Sequence, residues 1–148
     1  MTQRTLTLDI GVSGAFITRR WEEPNNWMRL TAECGYPWHE FCGDVLDPFF
    51  SGDLTYQMQT AAAVREAAER YGVGISAVYT GMATHRFHGL SHSHEAVRAR
   101  MRDWVIPYVN ITLAMGCTRM GGHWDAIPME VLADPLRVGV LGTGDEGS

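Results

Sequence analysis

The chain has 148 residues, of which 45% are hydrophobic and 20% are charged, and its formal net charge is −5. This composition is typical of a globular domain, and a chain of this length can bury a sizeable core if its architecture closes. The acidic balance and the scattered basic residues disfavour nucleic acid as the main partner. We expect neither a membrane span nor a secretory signal, because no apolar run approaches the roughly 20 residues that cross a bilayer.

Three cysteines occur, and their spacing matches no metal-binding motif. They are Cys34, Cys42 and Cys117. An odd and sparse number of cysteines is typical of proteins from a reducing compartment, so the sequence predicts a cytoplasmic protein without disulfides. The simplest interpretation of each is a small buried residue.

Four strand-like runs, rich in β-branched and apolar residues, alternate with helical stretches. The strands are predicted at Thr5–Val12, Pro37–Cys42, Gly74–Gly81 and Cys117–Gly122. Helices are predicted at 25–34, 54–71 and 93–115, and a fourth begins near Pro128. This alternation predicts parallel strands in the order 1-2-3-4 with helices on the outer face. Eight such units close a (β/α)8 TIM barrel of about 250 residues, so four units predict an α/β half-barrel and a truncated chain.

Several residues are predicted to begin, end or distort these helices. Asn25 or Asn26 is expected to cap the first, and Asp53 and Gly72 are expected to bound the second. Ser91 or Ser93 is expected to cap the third. Pro107 lies inside the third helix and should kink it or split it in two.

Ligands of parallel α/β barrels bind where the carboxyl ends of the strands run into loops. In the second strand, side-chain alternation leaves two possibilities for the barrel interior. Either His39 and Phe41 point inward, or Trp38, Glu40 and Cys42 do. An inward Glu40 would need a cation or hydrogen-bond donors, since a buried, unpaired carboxylate costs several kcal/mol. Glu40 is therefore a candidate site residue, the alternative being a solvent-facing or salt-bridged position at the strand end.

Histidines are concentrated after the third and fourth strands. His85, Arg86 and His88 follow the third strand, while His92 and His94 lie near the start of the next helix. Imidazoles can bind metal or hydroxyl groups and can move protons. His85 is the strongest candidate because it is nearest the strand end, whereas His92 and His94 are better explained as exposed loop residues.

The fourth strand ends in the sequence MGGHWD. Its two glycines permit close backbone approach, and His123 and Trp124 then project from the top of the sheet. His123 is a candidate ligand-facing residue and Trp124 a candidate pocket wall, or else an aromatic packed under the loop. Asp125 is an alternative cap for the helix near Pro128.

Three segments resemble the sugar phosphate isomerase/epimerase group of xylose isomerase-like TIM barrels, and the resemblance covers roughly residues 5 to 134. They are GYPWHEFCGDVLDPFFSGDL, TGMATHRFHGLSH and RARMRDWVIPYVNITLAMGCTRMGGH. The resemblance implies metal-assisted proton transfer next to a carbonyl through an enediolate, which gives aldose–ketose isomerisation or epimerisation. The implied partner is a small sugar or sugar phosphate, and the implied cofactor is Mg²⁺, Mn²⁺, Co²⁺ or Zn²⁺.

The same resemblance places the metal-binding and proton-transferring residues mainly on strands 5 to 8. What carries over to this chain is a substrate-binding rim, namely His85, His88 and His123, with Glu40 less firmly implied. We therefore expect residues 1–134 to form the N-terminal half of such a barrel, with no metal site of its own and no activity alone. Residues 135–148 depart from the family pattern and are expected to be an irregular tail.

Two other functions stay open on the sequence. One is a metal-dependent hydrolase of the same barrel type, similar to endonuclease IV, because histidines after neighbouring strands suit multi-zinc sites. The other is a non-catalytic half-barrel, whose open strand edges would favour binding of a partner or self-association.

Overall fold

A computed structural model describes residues 8–17, 23–87 and 89–125. Its strands are β1 Gly11–Ser13, β2 Trp38–Cys42, β3 Gly74–Tyr79 and β4 Met120–Gly121. Its α-helices are α1 Pro24–Glu33, α2 Leu54–Tyr71, α3 Met82–Phe87 and α4 Glu95–Ala114, and short 3-10 turns cover Gly14–Phe16 and Gly43–Val45. No helix among these residues is long and apolar enough to cross a membrane.

The four strands form one parallel sheet in the order β1-β2-β3-β4, which confirms the predicted topology. At one level of the sheet Trp38 lies between Gly11 of β1 and Gly74 of β3. Sequential parallel order requires each helix to cross over the same face of the sheet. The other face is therefore left without helices, and it is the concave face discussed below.

The structure differs from the predicted elements at the first strand and just after the third. Part of the first predicted strand lies outside the described residues, and β1 itself begins only at Gly11 and continues to Ser13. The short helix α3 was not predicted. It begins after Gly81, whose φ is +70°, and the Asp44 carboxylate accepts a hydrogen bond of 2.6 Å from the Met82 amide. The predicted tail and the helix near Pro128 lie outside the described residues.

The prediction that Asn25 or Asn26 caps α1 is wrong. Glu23 occupies the capping position, and Pro24 begins the helix, where its missing N–H costs nothing. Asn25 instead links two helices, since it donates to the Tyr71 hydroxyl at 3.1 Å and accepts from Arg70 at 2.7 Å. The α2 boundaries were predicted correctly.

The predicted cap of α4 is also wrong, because His94 takes that position rather than Ser91 or Ser93. The His94 Nδ1 accepts from the Ala96 amide at 3.2 Å. Pro107 lies inside α4 without splitting it. Of the cysteines, Cys42 and Cys117 are buried as expected, but Cys34 is exposed because it lies at the C-terminal end of α1, beyond the helix's buried stripe.

The core lies between the sheet and the helices, and β2 is central to it. His39 and Phe41 point into this layer, and each is only 1% exposed. The Phe41 ring meets Trp27 of α1 edge to face at 6.0 Å, and His39 Nδ1 lies 2.9 Å from the Thr31 hydroxyl. The other large, fully buried side chains of the core are Met28, Leu46, Val64, Val78, Trp104, Tyr108, Ile111 and Met115.

A buried carboxylate ties the loop after β2 to α4. One Asp47 oxygen accepts from the Phe49 and Phe50 amides, at 2.7 and 3.2 Å, and the other accepts from the Trp104 indole at 2.9 Å. These bonds offset the cost of burying Asp47. They also hold the carboxyl end of β2 in place against the helix layer.

Burial lowers the pKa of His39 from 6.5 to about 4, so the unfolded chain binds a proton more readily than the folded one. The stability that His39 contributes is present above pH 6.5 and should be lost as the pH falls from 6.5 towards 4, by up to about 3 kcal/mol. Urea unfolding across this range should show a steeper loss for the wild type than for His39→Asn, which keeps a polar group near Thr31. Parallel stability–pH curves for the two proteins would contradict this assignment.

Asp47→Asn should destabilise the fold by roughly 2 kcal/mol, because an amide cannot accept at both positions and its NH₂ would face the Trp104 N–H. Trp104→Phe removes that opposing donor, so the double variant should cost less than the sum of the two single variants. Asp53→Asn is the matched control, since Asn caps a helix about as well as Asp does. Strict additivity in chemical unfolding would show that Asp47 and Trp104 act independently.

Candidate functional site

Of the two orientations that the sequence left open for β2, the structure has the second, in which Trp38 and Glu40 face the concave side of the sheet. Trp38 and Glu40 line a cavity of about 550 Å³ on this face, while His39 and Phe41 point to the helices. The residues that line the cavity are Asp9, Gly11, Val12, Ser13, Trp38, Glu40, Ser76 and Arg119. A side chain at Gly74 would collide with the six-membered ring of Trp38, so glycine there leaves room for the indole against β3.

A second cavity, of about 270 Å³, opens at the carboxyl ends of the strands. It is lined by Ser13, Ala15, Glu40, Cys42, Asp44, Tyr79, Gly81, Met82 and His85. Ser13 and Glu40 border both cavities. The Glu40 carboxylate, which is partly exposed, therefore stands between the interior of the half-barrel and its upper rim.

His85 and His123 come together although they follow different strands. Their rings stack with centroids 4.6 Å apart and planes 20° apart, and the Tyr79 ring meets His123 edge to face at 6.2 Å. The His123 carbonyl accepts from the Thr80 hydroxyl at 3.1 Å, which fastens the loop after β4 to the end of β3. Two imidazoles thus lie side by side where β3 and β4 end.

A buried tyrosine of α4 holds the backbone at the end of β3, the strand that precedes His85. The Tyr108 hydroxyl donates to the Tyr79 carbonyl at 2.8 Å. Burial, reinforced by the nearby Cys42, Asp47 and Asp44, raises the pKa of Tyr108 far above its usual range, so it stays protonated and keeps this bond. A side chain at Gly43 would collide with the same hydroxyl, so the close approach of the loop requires glycine.

The remaining candidates take other positions. His88 lies outside the described residues. Trp124 is partly buried and packs against the core, which agrees with the packing alternative considered for it, and it is not among the residues that line the two cavities. His94 caps α4 rather than lying free in the loop, and His92 accepts from the His94 amide at 3.0 Å, so both have hydrogen-bonding roles at the start of that helix. Asp125 accepts a hydrogen bond from the Ser91 amide.

Sequence reasoning missed several residues of the concave face. Tyr79, Ser76 and Arg119 were not singled out as cavity residues, and Trp38 appeared only within one of the two alternatives for β2. The available signal was the period-two alternation of β2, since choosing Glu40 as inward also places Trp38 inward. The glycines at positions 11 and 74, which flank Trp38, could not be recognised as its neighbours before the strand register was known.

The described residues do not form a metal centre. No three His, Cys, Asp or Glu side chains among them lie close enough together to hold an ion. The stacked histidines and Glu40 supply polar groups to one face, but zinc sites use three or four protein ligands. We therefore derive no chemical step through a metal from these residues.

No family model and no curated protein matches this sequence. Solved structures do match. One is a candidate xylose isomerase from Rhodospirillum rubrum, with a TM-score of 0.79 and 19% identity over 92% of this chain and 46% of that one. Another is a D-psicose 3-epimerase in the presence of D-fructose, with a TM-score of 0.62 and 15% identity over 79% of this chain and 37% of that one.

The chain thus spans less than half the length of either of these structures. Identities below 20% carry information about the fold, and the matched fold agrees with the four parallel strands and outer helices described above. The chain has the fold of about half of a TIM barrel, as in the matched parts of these two structures.

Proposed function

We propose that this chain supplies the substrate-binding rim of a sugar isomerase or epimerase, with the ligand lying against the concave face between Glu40 and the His85–His123 pair. The observation that carries the proposal is the convergence of these three side chains at the carboxyl ends of β2, β3 and β4. This is the end of a TIM barrel at which substrates bind. The two structural neighbours, one named for xylose and one for psicose, support sugars as the substrate class.

The polar groups suit a polyol. Among the described residues no side chain donates a hydrogen bond to the Glu40 carboxylate, which is nonetheless partly withdrawn from water. Enclosing it further would be costly unless donors arrive with the ligand, and sugar hydroxyls are such donors. A neutral imidazole offers one donor and one acceptor, so His85 and His123 can each satisfy one hydroxyl group.

In the whole enzyme the reaction would remove a proton next to the sugar carbonyl and return it, through an enediolate. A divalent metal would polarise the carbonyl and hydroxyl oxygens in such a reaction. The described residues would bind and orient the sugar. The base and the metal ligands would come from the remaining part of the barrel.

Loss of His85 should weaken sugar binding without unfolding the chain, because its side chain is exposed at the rim. Removing one hydrogen-bonding group should raise the dissociation constant about tenfold, equivalent to about 1.4 kcal/mol. NMR titration of the wild type and His85→Ala with ketoses and ketose phosphates measures this. His94→Asn is the matched control, since it keeps a capping side chain at a position that lines neither cavity and should leave affinity unchanged. Equal affinities for wild type and His85→Ala would remove His85 from the site.

The 148-residue chain alone should not catalyse proton exchange. Each missing factor of ten in rate corresponds to about 1.4 kcal/mol, and the absence of both a positioned base and a metal would remove many such factors. The test is incubation of ketoses and ketose phosphates in D₂O with Mg²⁺, Mn²⁺ or Co²⁺, followed by mass spectrometry of the sugar. Metal-dependent incorporation of deuterium would show that the first four strands carry the chemistry themselves.

A further inference from the structure

Two buried threonine hydroxyls join the segments that carry the stacked histidines. Thr80, which follows β3, and Thr84, in α3, are 1% and 0% exposed. The Thr80 hydroxyl lies 3.1 Å from the His123 carbonyl, and the Thr84 hydroxyl lies 2.7 Å from that of Thr80. A carbonyl can only accept, so Thr80 donates to His123, and Thr84 must therefore donate to Thr80.

The bond that Thr80 donates differs from those of other buried threonines. Thr31 in α1 and Thr112 in α4 donate to the carbonyls of Trp27 and Tyr108, each four residues earlier, at 3.0 and 2.9 Å. Those bonds satisfy a hydroxyl within its own helix. Thr80 instead donates to a residue 43 positions away in the sequence, so its hydroxyl contributes to tertiary structure.

The loop after β4 lies directly against Thr80. The Thr80 amide donates to the Gly121 carbonyl at 3.0 Å. Gly122 has a φ of +123°, and a side chain there would collide with the Thr80 hydroxyl. The backbone and the side chain of Thr80 thus contact three successive positions of this loop, up to His123 itself. The loop therefore has little freedom to move away from the end of β3.

Each end of this pair of hydrogen bonds is next to one of the imidazoles. Thr84 immediately precedes His85 in α3, and the acceptor at the other end is the backbone carbonyl of His123. In the part of the chain that the structure describes, the two rings contact each other by stacking and share no hydrogen bond. Both side chains are exposed, so the relative position of the rings depends on the backbone that carries them.

We propose that Thr80 is a positioning residue for the His85–His123 pair, and that Thr84 extends its action to α3. Thr80 holds the His123 backbone directly, and the Thr84 hydroxyl connects that bond to the helix that carries His85. Two rings held 4.6 Å apart can bind two hydroxyl groups of one sugar, so Thr80 also determines the affinity for the sugar. This last step rests on the function proposed above.

NMR of the ligand-free chain tests the positioning role without any sugar. Stacked rings shield each other's protons, so the imidazole signals of His85 and His123, assigned with His85→Gln and His123→Gln, report the contact. Thr80→Val keeps the shape of the side chain but removes its hydroxyl, and should abolish both the shielding and the nuclear Overhauser effect between the rings. Thr80→Ser restores the donor and should retain both. Thr112→Val, which removes a bond within α4, is the matched control and should leave the signals unchanged.

Thr84→Val is a second variant that leaves the Thr80–His123 bond in place. It should shift the His85 signals more than those of His123, because it frees only the helix side of the pair. Unchanged ring signals in Thr80→Val, or equal changes in Thr80→Val and Thr112→Val, would overturn the proposal. If Thr80→Val does not fold, His85 signals that are the same in Thr84→Val and the wild type would overturn it instead.

Titration with the same ketoses and ketose phosphates measures the effect on binding. Thr80→Val should raise the dissociation constant about tenfold, and Thr80→Ser should stay within about threefold of the wild type. In the His85→Ala background Thr80→Val should have an effect of less than about threefold, since the pair is already lost. An equal loss of affinity in both backgrounds would show that Thr80 does not act through the pair. Absence of sugar binding by the wild type would count against the proposed function, while the ring signals would still decide the role of Thr80.

Discussion

The alternation of side chains along β2 determines what both faces of this sheet do. His39 and Phe41 enter the helix layer, where Thr31 and Trp27 meet them. Glu40 must then face the opposite way, because successive residues of a strand point to opposite sides. A shift by one residue would bury the carboxylate under α1 and expose the aromatic ring. The cost of burying an unpaired carboxylate makes that register unfavourable, so core packing and the position of Glu40 are set together.

Polar groups under the rim hold the ends of neighbouring strands in one arrangement. Asp47 joins the loop after β2 to Trp104, and Tyr108 joins the same helix to the end of β3. Thr80 then holds the loop after β4 through the His123 carbonyl. These bonds use buried side chains and backbone groups, so they fix loop positions without using the side chains that face the cavity. The stacked His85–His123 pair rests on this support.

The concave face is unusual for the inside of a parallel barrel because much of it is polar. Glu40, Ser76 and Arg119 share it with Trp38, whereas barrel interiors are mostly filled with branched apolar side chains. A polar wall suits a polar ligand, and Glu40 borders both cavities on this face. Glu40 and the histidines lie toward the carboxyl ends of the strands, and Asp9 and Arg119 flank the amino ends of β1 and β4.

The sequence by itself determined the elements whose signals are local. The parallel order of the strands and the limits of α2 follow from hydrophobic periodicity, the Asp53 cap and the αL glycine at position 72, all of which act over a few residues. Local signals were misleading where a side chain had a better distant partner. Asn25, a good capping residue, bonds to α2 instead, and a histidine rather than a serine caps α4.

Only the tertiary structure decided the composition of the candidate site. Strand alternation offered two orientations for Glu40, and the choice depended on which face the helices covered. The stacking of His85 on His123 joins residues far apart in sequence, and it depends on an unpredicted helix that begins where the Asp44 carboxylate receives the Met82 amide. Such contacts are set by the three-dimensional path of the loops, which no short sequence window contains.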